Sequence, residues 1–489
     1  MLNEKTHSER LISLKLSQLA RNVFPVSGSY DPEITLVTDR SDSVCPGALF
    51  VEIPGRTRDG HGFLPQAFSR GAVAAVVSAP VPSLPMPCFP VPDSRRAFAM
   101  LCGNFYGNPG ESLTLVGITG TNGKTSTSYM LDHCLRACGC NPALIGTVQI
   151  NDGSGGRESA LTTPDPSVLH RILSEAKRHG CTHTVMEVSS QSLDQSRTAG
   201  LTFDLGIFTN LTVDHLDYHG TMQAYRDAKL KLFTQCRQGL VNSDSDYAAP
   251  FLAMPSVFSY SASHPADFTA TRTRMTADGV SYLVSSPSGC REVFLPVWGR
   301  FSIYNSLAAL SAAECLGLDP SVCVRALASF PGVPGRLESV GEGLPFRLLI
   351  DYAHTPDGLE NVLRSLRETC SGRLIAVFGC GGDRDRGKRP EMGAVASRLA
   401  DSVILTSDNP RSEVPEEIIR QILRGSDPAK VQVVVDRTEA IRTALRSANP
   451  GDTVLLAGKG HETRQVFSDG EIRYDEREVA RKILKEEGY

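Results

Sequence analysis

Gly120, Thr121, Asn122, Gly123, Lys124, Thr125 and Ser126 follow one another inside LTLVGITGTNGKTSTSYMLDHCL. An apolar run that reads as a strand ends there at a glycine-rich turn, and a run that reads as a helix begins. Glycine lets the backbone wrap closely around a phosphate. The N–H groups and dipole of a helix N-terminus then favour the anion. In such a loop Lys124 reaches the β- and γ-phosphates of a nucleotide and the Thr125 hydroxyl faces Mg2+. The usual pattern, G-x-x-x-x-G-K-[ST], needs glycine at 118, where this chain has Ile118; its glycines stand at 117, 120 and 123. The blander reading, a structural glycine turn, leaves Gly-Lys-Thr at a strand-to-helix junction unexplained.

Other residues could serve a bound nucleotide. HTVMEVSSQSLDQSR reads as a strand ending at Glu187, and a carboxylate there could hold Mg2+, a hard cation that takes oxygen ligands. The strand LGIFTNL delivers Asp214, His215, Asp217 and His219 into a loop. A lone histidine is more often a surface or core residue, but His215 follows a strand end of the same expected sheet. Lys229, in AYRDAKLKLF, reads on its residues alone as part of a solvated helix face. Further on, LADSVILTSDNPRSE puts Asp408, Asn409, Pro410 and Arg411 in a loop between an apolar strand and the helix PEEIIRQIL. Open α/β sheets bind ligands at the carboxyl ends of their strands. Without further context Arg411 reads as a surface arginine near the start of that helix.

Elements must hold these residues. At 489 residues the chain exceeds one ordinary domain and should form about three, at ~100–200 residues each. Residues 1–110 carry the short strands ALFVEI and AVAAVV and end in APVPSLPMPCFPVP, too proline-rich for a helix. Residues 111–334 hold the phosphate loop and close near SFPGVPGRLE, where prolines and glycines suggest a boundary. Residues 335–489 alternate strand and helix from FRLLIDYA to DTVLLAGKG, which predicts βαβ units and a parallel sheet. The expected fold class is α/β throughout, with a central phosphate-loop parallel-sheet domain and a Rossmann-like C-terminal domain.

Composition narrows the partners. Apolar residues make up 41%, enough for a core in each domain, and 50 basic against 54 acidic residues leave no electrostatic footprint for nucleic acid. No run is long enough to span a membrane, and MLNEKTHSER lacks the basic-then-apolar pattern of a secretory leader. Thirteen scattered cysteines fit a reducing cytoplasm. Cys134, Cys138 and Cys140, near His133, invite a metal reading. However, Cys134 and Cys138 lie one turn apart in a helix, where buried free cysteine is common, and no second C-x-x-C pair completes a tetrahedral site.

TGTNGKT, MEVSS, FTNLTVDHLDYHGTMQAYRDAK, GRFSIYN, PGRLE, DYAHTPDGLE and GKGHE, in that order and across all three segments, resemble the Mur ligases. DYAHTPD and FGCGGDRDRGKRP most resemble the members that add the third peptide residue of peptidoglycan. The resemblance implies that residues 1–110 form a uridine-nucleotide domain, where Ser41 matches the serine of a D-S-R-x-V-x-P-G pattern, with Arg40 and Asp42 departing from it. PGRTRDGHGF resembles the next nucleotide-contacting loop. Thr162, Thr163, Ser189, Gln195 and Arg197 match muropeptide-binding positions, and Gln191 stands where relatives often have histidine. Glu187 and His215 match Mg2+ ligands. Lys229 matches a lysine that is carbamylated in the family; carbamylation needs the neutral amine, which burial favours, and yields an anion able to bind Mg2+. Asn305, Arg336 and Asp351 match positions for the ATP base and ribose.

DNPR is the form carried by relatives that add meso-diaminopimelate, whose distal end bears a carboxylate as well as an ammonium. Arginine reads a carboxylate through a planar bidentate fork. The resemblance therefore assigns Asp408, Asn409, Pro410 and Arg411, with Arg384, Gly458 and Glu462, to the amino acid. The implied reaction is ATP-dependent amide formation through an acyl phosphate on UDP-MurNAc-L-Ala-D-Glu, by a cytoplasmic monomer that uses ATP and Mg2+. His354 is a candidate base for the incoming amine, and a hydrogen-bonded structural histidine is the alternative. Three rival readings are a lysine-adding ligase, a phosphate-loop switch that ligates nothing, and a dehydrogenase that uses FGCGGDRDRG as a dinucleotide loop. The last lacks an acidic residue about 20 positions on with a ribose role.

Overall fold

A computed structural model describes residues 12–55, 60–81, 84–276, 278–341 and 343–489. The opening stretch read for a leader, and residues 56–59 of the loop PGRTRDGHGF, lie outside the described residues. The chain divides into two compact units. One comprises Met1–Thr119, Cys140–Gly206 and Asp227–Gln238; the other comprises Gly120–Gly139, Ile207–Arg226 and Gly239–Tyr489.

In the first unit, the strands Leu36–Thr38, Ala48–Val51, Ala72–Val77 and Cys88–Pro90 form a four-stranded parallel sheet in that order. Successive strand residues face opposite sides. Leu49, Val51, Ala74 and Val76 pack with Phe98 and Leu101 on one face, while Ala48, Phe50, Ala75 and Val77 pack with Leu64 and Ala67 on the other. Both faces are covered, which is why ALFVEI and AVAAVV are apolar throughout rather than alternating. The same unit contains Gly156–Glu158, Gln149–Asn151, Pro142–Ile145, His183–Glu187 and Thr114–Thr119, hydrogen-bonded in that order. The last three are mutually parallel, and their register sets Glu187 opposite Ile118, two residues before Gly120.

The second unit opens with the phosphate loop and the helix Lys124–Ala137, against which the helices Arg300–Cys315 and Pro320–Leu327 pack. Its C-terminal half is a six-stranded sheet in the order Glu338–Ser339, Arg347–Asp351, Thr453–Ala457, Leu374–Phe378, Ser402–Leu405, Val431–Val433. Only the first pairing is antiparallel. Leu349, Leu455, Ala376 and Val403 meet the helices Pro356–Arg367, Lys388–Leu399 and Pro415–Leu423. Their strand neighbours Leu348, Ile350, Val454, Ile375 and Ile404 meet Arg437–Ser447 and Glu476–Glu486. Helices on both faces of a parallel sheet make this the doubly wound architecture expected from the alternating sequence. The strand Thr453–Ala457, late in the chain, inserts between two earlier strands. Four carboxyl strand ends, at Asp351, Ala457, Phe378 and Leu405, therefore lie side by side and emit the loops that carry Gly458, Arg384 and Asp408–Arg411.

Candidate active site

The phosphate loop is closed by its own side chains. Lys124 Nζ donates to the carbonyls of Gly120 and Thr121 at 2.9 Å each. Thr121 N donates to Asn210 O and Asn122 N to Asn210 Oδ1, both at 2.9 Å, and Thr209 Oγ1 donates to Asn122 O at 2.6 Å. Gly123 has φ 87° and a Cβ there would strike Asn305 Oδ1, so only glycine allows this approach. Asn305 is thereby placed against the loop, on the helix Arg300–Cys315. Asn122 Nδ2 and Thr212 Oγ1 both donate to Asp357, at 2.9 and 3.0 Å. Asp357 opens the helix Pro356–Arg367 and pins the loop to the C-terminal half of the unit.

Next to the loop, Arg336 Nη2 lies 3.5 Å from Thr125 Oγ1 and its guanidinium covers the Tyr352 ring at 4.7 Å. Asp351 accepts from the backbone N–H groups of Leu337 and Ala353 at 2.8 Å each; burial raises its carboxyl pKa, against the Arg336 charge. The rings of His354 and His461 lie 4.6 and 4.9 Å from that of Tyr352. His354 presents an exposed edge, yet crowding protein atoms, and then the Lys388 charge, hold its imidazole down at about 4. Its Nδ1 is 2.8 Å from the Tyr352 carbonyl, so Nδ1 carries the proton and the neutral ring keeps its Nε2 lone pair.

In the first unit the positions expected to hold a muropeptide form one hydrogen-bonded cluster. Thr163 Oγ1 donates to Glu187 O at 2.9 Å and accepts from Ser189 N at 3.0 Å. Arg197 donates to Thr163 O at 2.9 Å and to Gln195 Oε1 at 2.8 and 3.1 Å. Thr162 Oγ1 meets Thr147 Oγ1 at 3.0 Å. Glu187 is wholly buried, and its carboxylate accepts from Thr147 N and Oγ1 at 2.9 and 3.0 Å. Ser41 donates to Gln66 at 2.9 Å, and its neighbours Arg40 and Asp42 pair with each other at 3.2 and 2.9 Å.

Lys229 overturns the solvated-face reading: it is 1% exposed. Tyr225, Ala228, Leu232 and Phe233 are buried on the same helix, so Lys229 lies in the apolar stripe at helical spacing. That signal was available in AYRDAKLKLF. His215 has φ 54° at the start of the helix Leu216–His219, with its Nε2 3.4 Å from Asp214. Among the described residues no group of three or more His, Cys, Asp or Glu gathers as for a metal. The buried Glu187 carboxylate is still the kind of oxygen ligand that Mg2+ takes, since the ion uses one or two carboxylates plus substrate phosphates. Cys134 is buried as expected, and Cys138 lies 3.7 Å from Cys323 rather than in a cysteine–histidine cluster.

At the strand ends, Asn409 Nδ2 donates to Glu462 Oε2 at 2.7 Å, and Asn409 Oδ1 accepts from Val466 N at 3.0 Å. Gly458 has φ 110° and a Cβ there would lie 2.6 Å from Asp408 Oδ2. Arg411, half-buried with φ 53°, donates through Nη1 to Gly382 O at 2.8 Å. Among the described residues its Nε and Nη2 make no hydrogen bond, so one edge of the planar fork stays available to a carboxylate. Arg384 is exposed on the facing loop. Sequence reasoning missed Lys459, in the quoted GKGHE: it is fully buried and donates to Asn409 Oδ1, Glu462 Oε2 and Arg464 O at 3.1, 3.3 and 2.6 Å. Burial, and then Asp408, raise the Glu462 carboxyl pKa against the pull of Lys459.

A phosphate loop beside a doubly wound sheet with charged groups at its switch point describes a nucleotide-dependent ligase. The chain belongs to the Mur ligase family: residues 118–313 match the Mur ligase middle domain and residues 335–460 the Mur ligase, glutamate ligase domain. It is 43% identical over 472 residues to the UDP-N-acetylmuramoyl-L-alanyl-D-glutamate--2,6-diaminopimelate ligase of Geobacillus kaustophilus, covering 94% of this chain and 96% of the relative. A solved structure of a UDP-N-acetylmuramoyl-L-alanyl-D-glutamate--2,6-diaminopimelate ligase superposes with a TM-score of 0.72 at 30% identity, covering 98% of this chain and all of the other. The MurF ligase of Thermotoga maritima, solved in complex with ADP, shares the fold with a TM-score of 0.60 at 19% identity, covering 92% of this chain and 97% of its own.

Proposed function

We propose that the chain uses ATP to join meso-2,6-diaminopimelate to the D-glutamate γ-carboxyl of UDP-MurNAc-L-Ala-D-Glu, as a cytoplasmic monomer in peptidoglycan precursor synthesis. The observation that carries the choice of amino acid is the arrangement at the strand ends. Arg411 offers a guanidinium edge, while Glu462 and Asp408 offer carboxylates from the neighbouring loops. A distal group that is both ammonium and carboxylate matches those charges; a lysine side chain has nothing for Arg411.

In this reading the glutamate γ-carboxylate attacks the γ-phosphorus of ATP, the bond to ADP breaks, and an acyl phosphate forms. Lys124 and the loop amides neutralise charge spreading over the transferring group. Asn305, Arg336 and Asp351 hold the base and ribose. Thr125, Glu187, His215 and a carbamylated Lys229 would hold Mg2+, which offsets phosphate charge when bound. The amine of diaminopimelate then attacks the acyl carbon, and phosphate leaves with the C–O bond electrons. The neutral His354, its Nε2 lone pair available, takes the amine proton. Thr162, Thr163, Ser189, Gln195 and Arg197 hold the muropeptide, Ser41 the uridine end.

The test offers purified enzyme, ATP and the UDP-linked dipeptide with meso-diaminopimelate, L-lysine or L-ornithine separately, and reads phosphate release. Release that depends on meso-diaminopimelate supports the reading. Equal release with L-lysine sinks the substrate assignment. Release that needs no amino acid points instead to a nucleotide switch.

A further inference from the structure

We infer that the Arg389–Glu413 ion pair positions Arg411: it locks the loop at 381–383 against the loop at 409–413, and so sets where the guanidinium that reads the distal carboxylate stands. The inference rests on the reading of Arg411 above.

Arg389 lies in the first turn of the helix Lys388–Leu399 and is wholly buried. Its Nη2 donates to Glu413 Oε1 at 2.9 Å and to the Gly381 carbonyl at 3.0 Å. Its Nη1 donates to Glu413 Oε2 and Gln421 Oε1 at 2.9 Å each. This is a two-pronged guanidinium–carboxylate contact with fixed geometry. Glu413 Oε1 also accepts from Asp383 N at 2.7 Å, so one carboxylate ties the helix to the 381–383 loop. Arg389 holds that carboxyl at about 2, so it stays ionised at neutral pH.

The two loops are then laced together. Gly382 N donates to Asn409 O at 2.9 Å, and Ser412 N and Oγ donate to Asp383 at 3.2 and 2.6 Å. Asp383 and Arg411 both sit in the left-handed region, at φ 54° and 53°, which residues with a Cβ adopt when their surroundings impose it. Arg411 Nη1 is held by the Gly382 carbonyl, so the guanidinium follows the 381–383 loop, and that loop follows Glu413. Neither member of the pair is available to substrate. Arg389 has no exposed surface, and both Glu413 oxygens are taken.

The experiment measures phosphate release by full-length Glu413→Gln while meso-diaminopimelate and ATP are varied in turn. A misplaced carboxylate reader should raise KM for meso-diaminopimelate about tenfold, with kcat and KM for ATP changed less than about twofold. Glu413→Asp, which keeps the charge, should recover part of the loss. A Glu413→Gln enzyme in which KM for both substrates and kcat deteriorate together shows a merely structural pair and overturns the inference. Arg411→Ala is measured beside it. If Arg411→Ala leaves KM for meso-diaminopimelate unchanged, the reading of Arg411 fails and the inference with it. If Arg411→Ala raises that KM and Glu413→Gln does not, the inference alone fails. Should Glu413→Gln not fold, Ser412→Ala removes only the exposed bond to Asp383; a rise of about twofold in the same KM supports the lacing, and no change overturns it.

Discussion

Replacing Lys459 with methionine keeps the length of a fully buried side chain and removes its charge. The ammonium it removes contacts Asn409 Oδ1, Glu462 Oε2 and the Arg464 carbonyl. Breaking a buried pair by deleting one partner costs about 3–5 kcal/mol. Solvent recovers part of that here, because the Glu462 side chain is 31% exposed, and Asn409 Oδ1 keeps the Val466 N–H. About 2–3 kcal/mol remains, which for a domain of this size lowers Tm by roughly 5–10 °C. The pH dependence has a definite sign. Glu462 already has a raised pKa in the folded protein, and losing Lys459 raises it further. An acid that binds its proton more tightly when folded makes the fold more stable at low pH, and that stability is lost as pH rises through the raised pKa. The variant should therefore lie nearest wild type at about pH 5 and furthest below it at about pH 8. Scanning calorimetry of the full chain at both pH values, with Lys459→Arg alongside, measures this. A loss under about 1 °C at the higher pH, or a deficit that grows toward acid, refutes the claim that Lys459 neutralises Glu462.

Gly123→Ala should raise KM for ATP at least about tenfold, because the added Cβ meets Asn305 in a left-handed turn; unchanged ATP kinetics would mean that the loop does not seat the phosphates. Lys229→Gln should cut kcat by about 100-fold or more, since it deletes a buried group that the proposed function places among the Mg2+ ligands. A kcat within tenfold of wild type removes Lys229 from the chemistry. With its imidazole held at about 4, His354 is neutral at pH 7 and protonates only as pH falls through that value. Wild-type kcat should thus show an acid limb below about pH 5 that His354→Asn lacks, and a limb that persists in the variant assigns it to another group.

The C-terminal sheet was legible because its strands are buried on both faces and its helices on one. RLIAVFG and DTVLLAGKG carry the unbroken apolar runs LIAVF and VLLA, and PEEIIRQIL has its apolar residues at helical spacing; the strands Leu374–Phe378 and Thr453–Ala457 and the helix Pro415–Leu423 lie where those patterns put them. The ribbon Arg464–Phe467 with Gly470–Arg473 was not legible. Its residues, RQVFSDGEIR, are mostly polar, and the one it buries, Gln465, turns an amide rather than an apolar group inward, donating to Asp408 O at 2.7 Å. Yet Val466 on that ribbon donates its N–H to Asn409 and accepts from Arg411 N at 3.0 Å. DNPR could name the residues of the amino-acid loop but not the backbone that grips it.

Burial separates residues that a motif leaves equal. Lys229 and Lys459 both stand in polar-looking stretches, and both are buried to within 1%. Lysine is almost never fully buried unless paired, because an unpaired ammonium in the interior costs several kcal/mol or gives up its proton. Filling space would be done better by leucine or methionine, so two such lysines point to charge held where the fold needs it. Lys459 holds it under Glu462, the carboxylate that the proposed function sets to meet an incoming ammonium. Arg411 differs in kind: half-buried, with one nitrogen committed to Gly382, it has little stabilising work beyond that bond and keeps one edge of its fork for a ligand. The arginines of the neighbouring loops divide in the same way. Arg389 spends both terminal nitrogens on the protein, while Arg411 keeps one back, as the proposed reading of a distal carboxylate requires.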